Sequence, residues 1–266
     1  MVITTRLFKK LGWTGYYYSH SLFWRWKFRE KPQILGRYAC LGADVLRLIQ
    51  PSHQIVNIQK GRVDYLVECW ENPQLKARAR QVVPYMKREE IIPCIVQEEL
   101  LFEWLKPQQP VALFMDSMAE LGDQLFVNRN QGWRFLSAYT DVEQSEEFQR
   151  AFRADGLLPI EYLDSHFRNF FLHIRKRFGN IPIFYLHFPT TLDSREKFRT
   201  RHAAILETIN HLSLEFQPFY SLWVADWVVD FPEERTADMW NFPYHYNSKT
   251  YETFAQMVRA TGCFET

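Results

Sequence analysis

The sequence predicts an α/β fold: a three-layer α/β/α arrangement in which a central, mostly parallel sheet is covered by helices on both faces. Three observations carry this expectation. Short apolar runs alternate with amphipathic helical patterns along most of the chain. The runs 111–115 (Val-Ala-Leu-Phe-Met) and 181–186 (Ile-Pro-Ile-Phe-Tyr-Leu) are apolar at successive positions, as strands buried on both faces of a parallel sheet must be. Proline and glycine punctuate the boundaries between the two patterns.

The elements follow in order. Residues 33–36 form a short strand ending at Gly36, and 41–50 show helix-like apolar spacing ended by Pro51. Residues 55–58 and 65–67 read as two further strands. Residues 95–106 read as an amphipathic helix, and the turn 107–110 leads into the strand 111–115. The stretch 141–180 reads as helical, with Asp164 as N-cap, Phe167, Phe170, Phe171 and Ile174 on one face, and Gly179-Asn180 as the stop. The strand 181–187, the helix 196–214, the strand 219–225 and the helix 248–260 complete the order. There is no internal repeat and no linker, so residues 34–266 are expected to form a single domain.

The 266 residues are 47% hydrophobic and carry a net charge of +1. That length buries a sizeable core. The near-zero charge gives no reason to expect nucleic acid as a partner. Aromatic residues make up 17%, which leaves large side chains to line a ligand site. Residues 1–33 stand apart as a basic aromatic arm: seven Lys and Arg against Glu30, interleaved with Trp13, Tyr16, Tyr17, Tyr18, Phe23, Trp24, Trp26 and Phe28. Such a segment suits an anionic membrane surface or a protein partner; it equally suits an arm that packs its rings on the main domain.

The four cysteines, Cys40, Cys69, Cys94 and Cys263, form no Cys-x-x-Cys pair. With neither an export signal nor an apolar stretch of spanning length, free thiols and a cytoplasmic location are expected. The pair Gly36 and Gly42 fits neither a dinucleotide nor a phosphate-loop fingerprint, and there is no His-Glu-x-x-His. His166 and His173 lie seven apart on one helix. Neither a cofactor nor a metal is expected.

In open α/β sheets ligands bind at the carboxyl ends of the strands. The chemistry-bearing side chains at those ends are Arg37, Tyr38 and Cys40; Asp116, Ser117, Glu120 and Asp123; His187, Thr190, Thr191 and Asp193; and Asp226. His245, in Asn-Phe-Pro-Tyr-His-Tyr-Asn (241–247), arrives just before the last helix and is the leading site residue, since a Pro- and Asn-containing loop holds a histidine by its backbone and can leave the ring exposed. Cys40 sits at a helix start, where the dipole favours a thiolate; an isolated cysteine is equally a small buried residue. Asp116 either orients an imidazole or accepts from a substrate hydroxyl, or it caps the helix after it. Arg195, Arg199 and Arg201 either clamp an anion or make a solvated basic face.

Three motifs in this order resemble the SGNH (GDSL-type) hydrolase superfamily, and more narrowly bacterial SGNH-like proteins whose first motif reads Gly-Ser-Cys-x-x-Arg-Asp. Cys40 and Asp44 stand where that motif has Cys and Asp; Tyr38, Ala39 and Ala43 replace its Gly, Ser and Arg. The block 115–124 is similar to the family's third-strand motif, and Pro243-Tyr244-His245-Tyr246-Asn247 to its histidine block. The family's aspartate three residues before the histidine is here Phe242, with Asp238 and Asn241 the nearest polar residues. The resemblance implies a flavodoxin-like topology. It also implies an esterase or acyltransferase acting on an acylated carbohydrate or polysaccharide precursor, with Cys40 as nucleophile, His245 as general base and Asp116 in support. Backbone N–H groups after Cys40 and at the Asp116-Ser117 turn would hold the oxyanion. Ser117, His187, Thr190, Arg37 and Tyr244 would contact substrate. The alternative on the same fold is a non-catalytic module for a glycan or nucleotide-sugar, using the spare aromatics.

Overall fold

The computed structural model describes Gly12, Gly15 and residues 32–102, 110–234 and 243–264. Nearly all of the basic aromatic arm, the turn residues 107–109, the end of the 95–106 helix and the positions Asp238, Asn241 and Phe242 lie outside the described residues. Eight strands are described: β1 (Gln33–Arg37), β2 (Gln54–Asn57), β3 (Ala112–Asp116), β4 (Asp123–Asn128), β5 (Arg134–Ala138), β6 (Phe152–Gly156), β7 (Ile183–Leu186) and β8 (Phe219–Leu222). The α-helices are α1 (Cys40–Ile49), α2 (Val63–Glu71), α3 (Ala79–Val82), α4 (Ile92–Phe102), α5 (Met118–Gly122), α6 (Glu146–Ala151), α7 (Leu163–Phe178), α8 (Glu196–Glu215) and α9 (Ser248–Arg259).

The main sheet is parallel throughout, in the order β2-β1-β3-β7-β8. α1 and α9 pack together on one side, while α2, α7 and α8 pack in series on the other. This is the three-layer α/β/α fold with a central parallel sheet. All five residues of β3 are buried, which explains why its sequence is apolar at successive positions: both of its faces meet helices. Phe114, Phe184 and Tyr220 lie side by side in register and stack at 5.8 and 4.8 Å between ring centres. On the opposite face Tyr185 meets Phe167 of α7 edge-on at 5.7 Å.

Three expectations are corrected. Residues 65–67 belong to α2: Val63, Leu66 and, one turn on, Cys69 share its buried face, and that 3–4 spacing overrides the β propensity of Tyr-Leu-Val. Within 141–180, only 146–151 and 163–178 are α-helical; Phe152–Gly156 is β6, which pairs antiparallel with β4. Nor is Asp164 the N-cap of α7; Tyr162 holds that position, and Asp164 in the first turn pairs with Arg168 at 3.3 Å.

β4, β5 and β6 form a small antiparallel sheet in the order β5-β4-β6. Phe126, Phe135, Phe148 and Phe152 pack on it together with residues of 77–96, forming a hydrophobic cluster separate from the main core. At the β4–β5 turn, Asn128 accepts from the N–H of Asn130 and Gln131, and Gly132 takes the positive φ of 74° that closes it. Among the described residues no helix is long and apolar enough to cross a membrane.

Candidate functional site at the carboxyl edge of the sheet

The chain leaves β1 for β2 on one side and returns across β1 to β3 on the other, so the strand order reverses between β1 and β3. Such a reversal opens a crevice beyond the strand ends. The β1–α1 loop, Tyr38-Ala39-Cys40, and the β3–α5 loop at Asp116-Ser117 border it.

Asp116 joins the two loops. Its Oδ2 accepts the Ala39 N–H at 2.7 Å and the Gly42 N–H at 3.2 Å, and its Oδ1 accepts the Met118 N–H at 3.2 Å. It therefore caps α5 locally and α1 from a distance, satisfying donors that helix starts leave open. Burial raises its carboxyl to about 6, against the lowering pull of Arg37 and those backbone N–H groups. On the other side of the β1–α1 loop, Asn57 clamps the Tyr38 backbone: its Oδ1 accepts the Tyr38 N–H and its Nδ2 donates to the Tyr38 carbonyl, both at 3.0 Å. The two glycines beside this loop serve close packing. A Cβ on Gly36 would lie 2.9 Å from Asn57 Oδ1, and one on Gly42 would lie 2.4 Å from Tyr38 Cβ.

Cys40 is the first residue of α1 and half-buried. Its thiol donates to the Tyr244 carbonyl, with Sγ and O 3.7 Å apart. The structure thus brings the β1–α1 loop against the residue preceding His245. Burial, reinforced by Asp116 and Asp44, pushes the thiol up to about 12; the N–H groups of Leu41 and Cys40 pull the other way and lose. The helix-start effect expected from sequence is outweighed, and the resting thiol is protonated at neutral pH.

The histidine loop is buckled down on both sides of His245. The Tyr244 phenol donates to Asp193 Oδ2 at 2.6 Å, and the Tyr246 phenol donates to the Pro189 carbonyl at 2.6 Å. Burial acts to raise the Asp193 carboxyl, but hydrogen bonds from Arg195 and Tyr244 outweigh it and hold the group below the usual range. Asn247 caps α9 by accepting the Thr250 N–H at 3.0 Å. His245 itself is half-buried between these anchors.

The remaining sequence-predicted residues bond to partners other than Cys40. Arg37 is fully buried in an ion pair with Glu120 at 2.7 Å. Ser117 is buried; its Oγ accepts the Phe188 N–H at 2.9 Å and its own N–H donates to Leu186 O at 3.1 Å. Thr190 is buried, and its carbonyl accepts the Asp193 N–H at 3.0 Å. His187 is buried with Nε2 3.0 Å from Ser221 Oγ, and burial with the nearby His202 lowers it to about 3, so its ring stays neutral. Of the three arginines read as an anion clamp or a solvated basic face, Arg195 chelates Asp193, Arg199 faces Glu196, and Arg201 is buried against the Glu120 carbonyl. Sequence reasoning missed Asn57 and Tyr246. The signal for Asn57 was an amide side chain ending a strand at the ligand edge of a doubly wound sheet.

The Ser117 and Met118 N–H groups are taken by Leu186 O and Asp116. The Asp116-Ser117 turn therefore has no donors to spare for an oxyanion, and the Ala39 and Gly42 N–H groups are also occupied. Among the described residues no three His, Cys, Asp or Glu side chains form a metal-binding group.

Neither a protein family nor a curated protein matches the chain. Among solved structures, the chain is similar to an acetyl xylan esterase, Est2A, from the rumen bacterium Butyrivibrio proteoclasticus, with a TM-score of 0.38 over 89% of this chain and 13% identity. The chain spans 65% of that esterase's length.

Proposed function

We propose that this protein is an SGNH-like esterase or acyltransferase acting on an acylated carbohydrate or polysaccharide precursor, with Cys40 as nucleophile and His245 as general base. The observation that carries the reading is the contact of the Cys40 thiol with the Tyr244 carbonyl at 3.7 Å, which sets the thiol one residue from His245 across the crevice. In the acylation step Sγ attacks the ester carbonyl and its proton passes to His245. That proton then goes to the departing alcohol, leaving a thioester on Cys40. Water completes hydrolysis, or a second alcohol completes transfer, regenerating the thiol. The Cys40 and Leu41 N–H groups at the start of α1 are the donors for the oxyanion. Asp116 acts as a positioning residue that fixes this helix start. The free cysteines fit a cytoplasmic setting, residues 34–266 act as one unit, and residues 1–33 make a membrane or protein contact.

The test is turnover of a small acetyl ester by the full chain and by Cys40→Ala and His245→Ala. Both substitutions should abolish turnover while the folded circular-dichroism spectrum is kept; undiminished turnover in Cys40→Ala removes the assignment. One observation favours a second reading, a non-catalytic glycan or nucleotide-sugar module: the thiol lies up at about 12. Glycan binding without turnover in the wild type would establish that alternative.

A further inference from the structure

We propose that Trp227 is the platform on which a pyranose ring of the ligand stacks, with the Asp226 carboxylate accepting from the sugar hydroxyls. The inference rests on the carbohydrate part of the proposed function and places its sugar-binding subsite at the end of β8.

Trp227 is 86% exposed, more than any other large hydrophobic side chain among the described residues. It sits on the single turn Asp226–Val228 that follows β8, at the same edge of the sheet as Cys40 and His245. The turn is held from within, the Val228 N–H donating to Ala225 O at 2.9 Å and the Val229 N–H to Asp226 O at 3.1 Å. It is also tied to the site. Thr250 Oγ1 at the start of α9 donates to Val228 O at 3.0 Å, and the Asn247 N–H donates to Asp230 O at 3.0 Å. From the β7–α8 loop, Thr191 Oγ1 donates to Asp226 Oδ1 at 2.7 Å. On a backbone fixed this way, only the side-chain torsions of Trp227 are left to order when a ligand stacks on its ring.

The surroundings favour a sugar over a protein partner. Val224 and Val229 turn inward and are buried, whereas Asp226, Thr191 and Asp230 are exposed. A protein partner is normally met by a contiguous apolar patch of several hundred Å². Here an exposed ring shares its turn with the Asp226 carboxylate, to which the Thr191 hydroxyl donates. That combination matches a pyranose, whose C–H face is apolar and whose rim donates hydrogen bonds.

Isothermal titration of the full chain with xylohexaose, an unsubstituted oligomer that cannot be deacylated, tests this. Wild type should bind. Trp227→Ala should weaken binding by roughly tenfold, the worth of one aromatic contact, and Trp227→Phe should recover most of it. Equal affinity in wild type and Trp227→Ala, or no binding by wild type at millimolar sugar, overturns the proposal. Ester hydrolysis by Cys40→Ala is measured in parallel. If Cys40→Ala also hydrolyses esters like wild type, the acyl-transfer reading fails while the titration still decides the fate of Trp227.

Discussion

Asp116 Oδ2 and the Ala39 N–H, 2.7 Å apart and 77 residues distant in sequence, join the end of the central strand to the start of the helix that carries Cys40. The bond makes the carboxylate part of the frame of the site, and the stability of the protein should report its titration. Burial raises the Asp116 carboxyl to about 6, above the ordinary value near 4. A carboxyl raised in the folded state holds its proton more tightly there than in the unfolded chain, so its ionisation costs stability as pH rises between those values. Asp116→Asn removes this titration. In urea unfolding, wild type should lose stability relative to the variant from pH ~4 to ~6 and run parallel to it above that range. Parallel curves throughout would contradict the assignment.

The Arg37–Glu120 pair gives a second prediction. Both groups are buried, and removing one partner strands the other charge. Arg37→Met should destabilise by about 3–5 kcal/mol in chemical denaturation, with Arg37→Met/Glu120→Gln recovering part of the loss. A loss below about 1 kcal/mol would mean that the guanidinium is not held as described.

The two tyrosines flanking His245 should differ. Tyr244 donates to a carboxylate and Tyr246 to a carbonyl. Hydrogen bonds to charged groups are worth about 1.5–3 kcal/mol against about 1 for neutral ones. Tyr244→Phe should therefore cost more stability than Tyr246→Phe, measured by denaturant unfolding. The reverse order would contradict the Asp193 contact.

Much of the fold was legible in the sequence, for definite reasons. β3 and β7 were readable because burial on both faces forces apolar residues at successive positions. α2 was misread because Tyr65-Leu66-Val67 has strand propensity and its helical face is set by packing against α7. β6 was missed because Arg153, Ala154 and Asp155 are exposed, leaving no apolar alternation; only its pairing with β4 makes it a strand. The strand ends were readable, and the Tyr244 carbonyl of the histidine segment does meet the Cys40 thiol. What could not be read was how the polar residues are spent. Arg37, Ser117 and Asp116 look like substrate contacts in sequence, but partners 71 to 83 residues away claim them.

The resting state of Cys40 gives a further prediction. A thiol held up at about 12 is almost wholly protonated at neutral pH, whereas free cysteine, near 8.5, carries a few per cent thiolate. Alkylation of Cys40 by iodoacetamide, followed by peptide mapping in the ligand-free protein, should be slower than that of free cysteine at pH 7 and still rising at pH 10. A fast reaction that levels off near pH 8 would show an activated thiolate instead.

The central claim is that Cys40 carries the acyl group. Mass spectrometry of the protein quenched during reaction with p-nitrophenyl acetate reads this directly. The account predicts a single acetyl group on the peptide containing Cys40, absent from Cys40→Ala. Ester hydrolysis that continues in Cys40→Ala, with no acetylated Cys40 in the wild type, would contradict it.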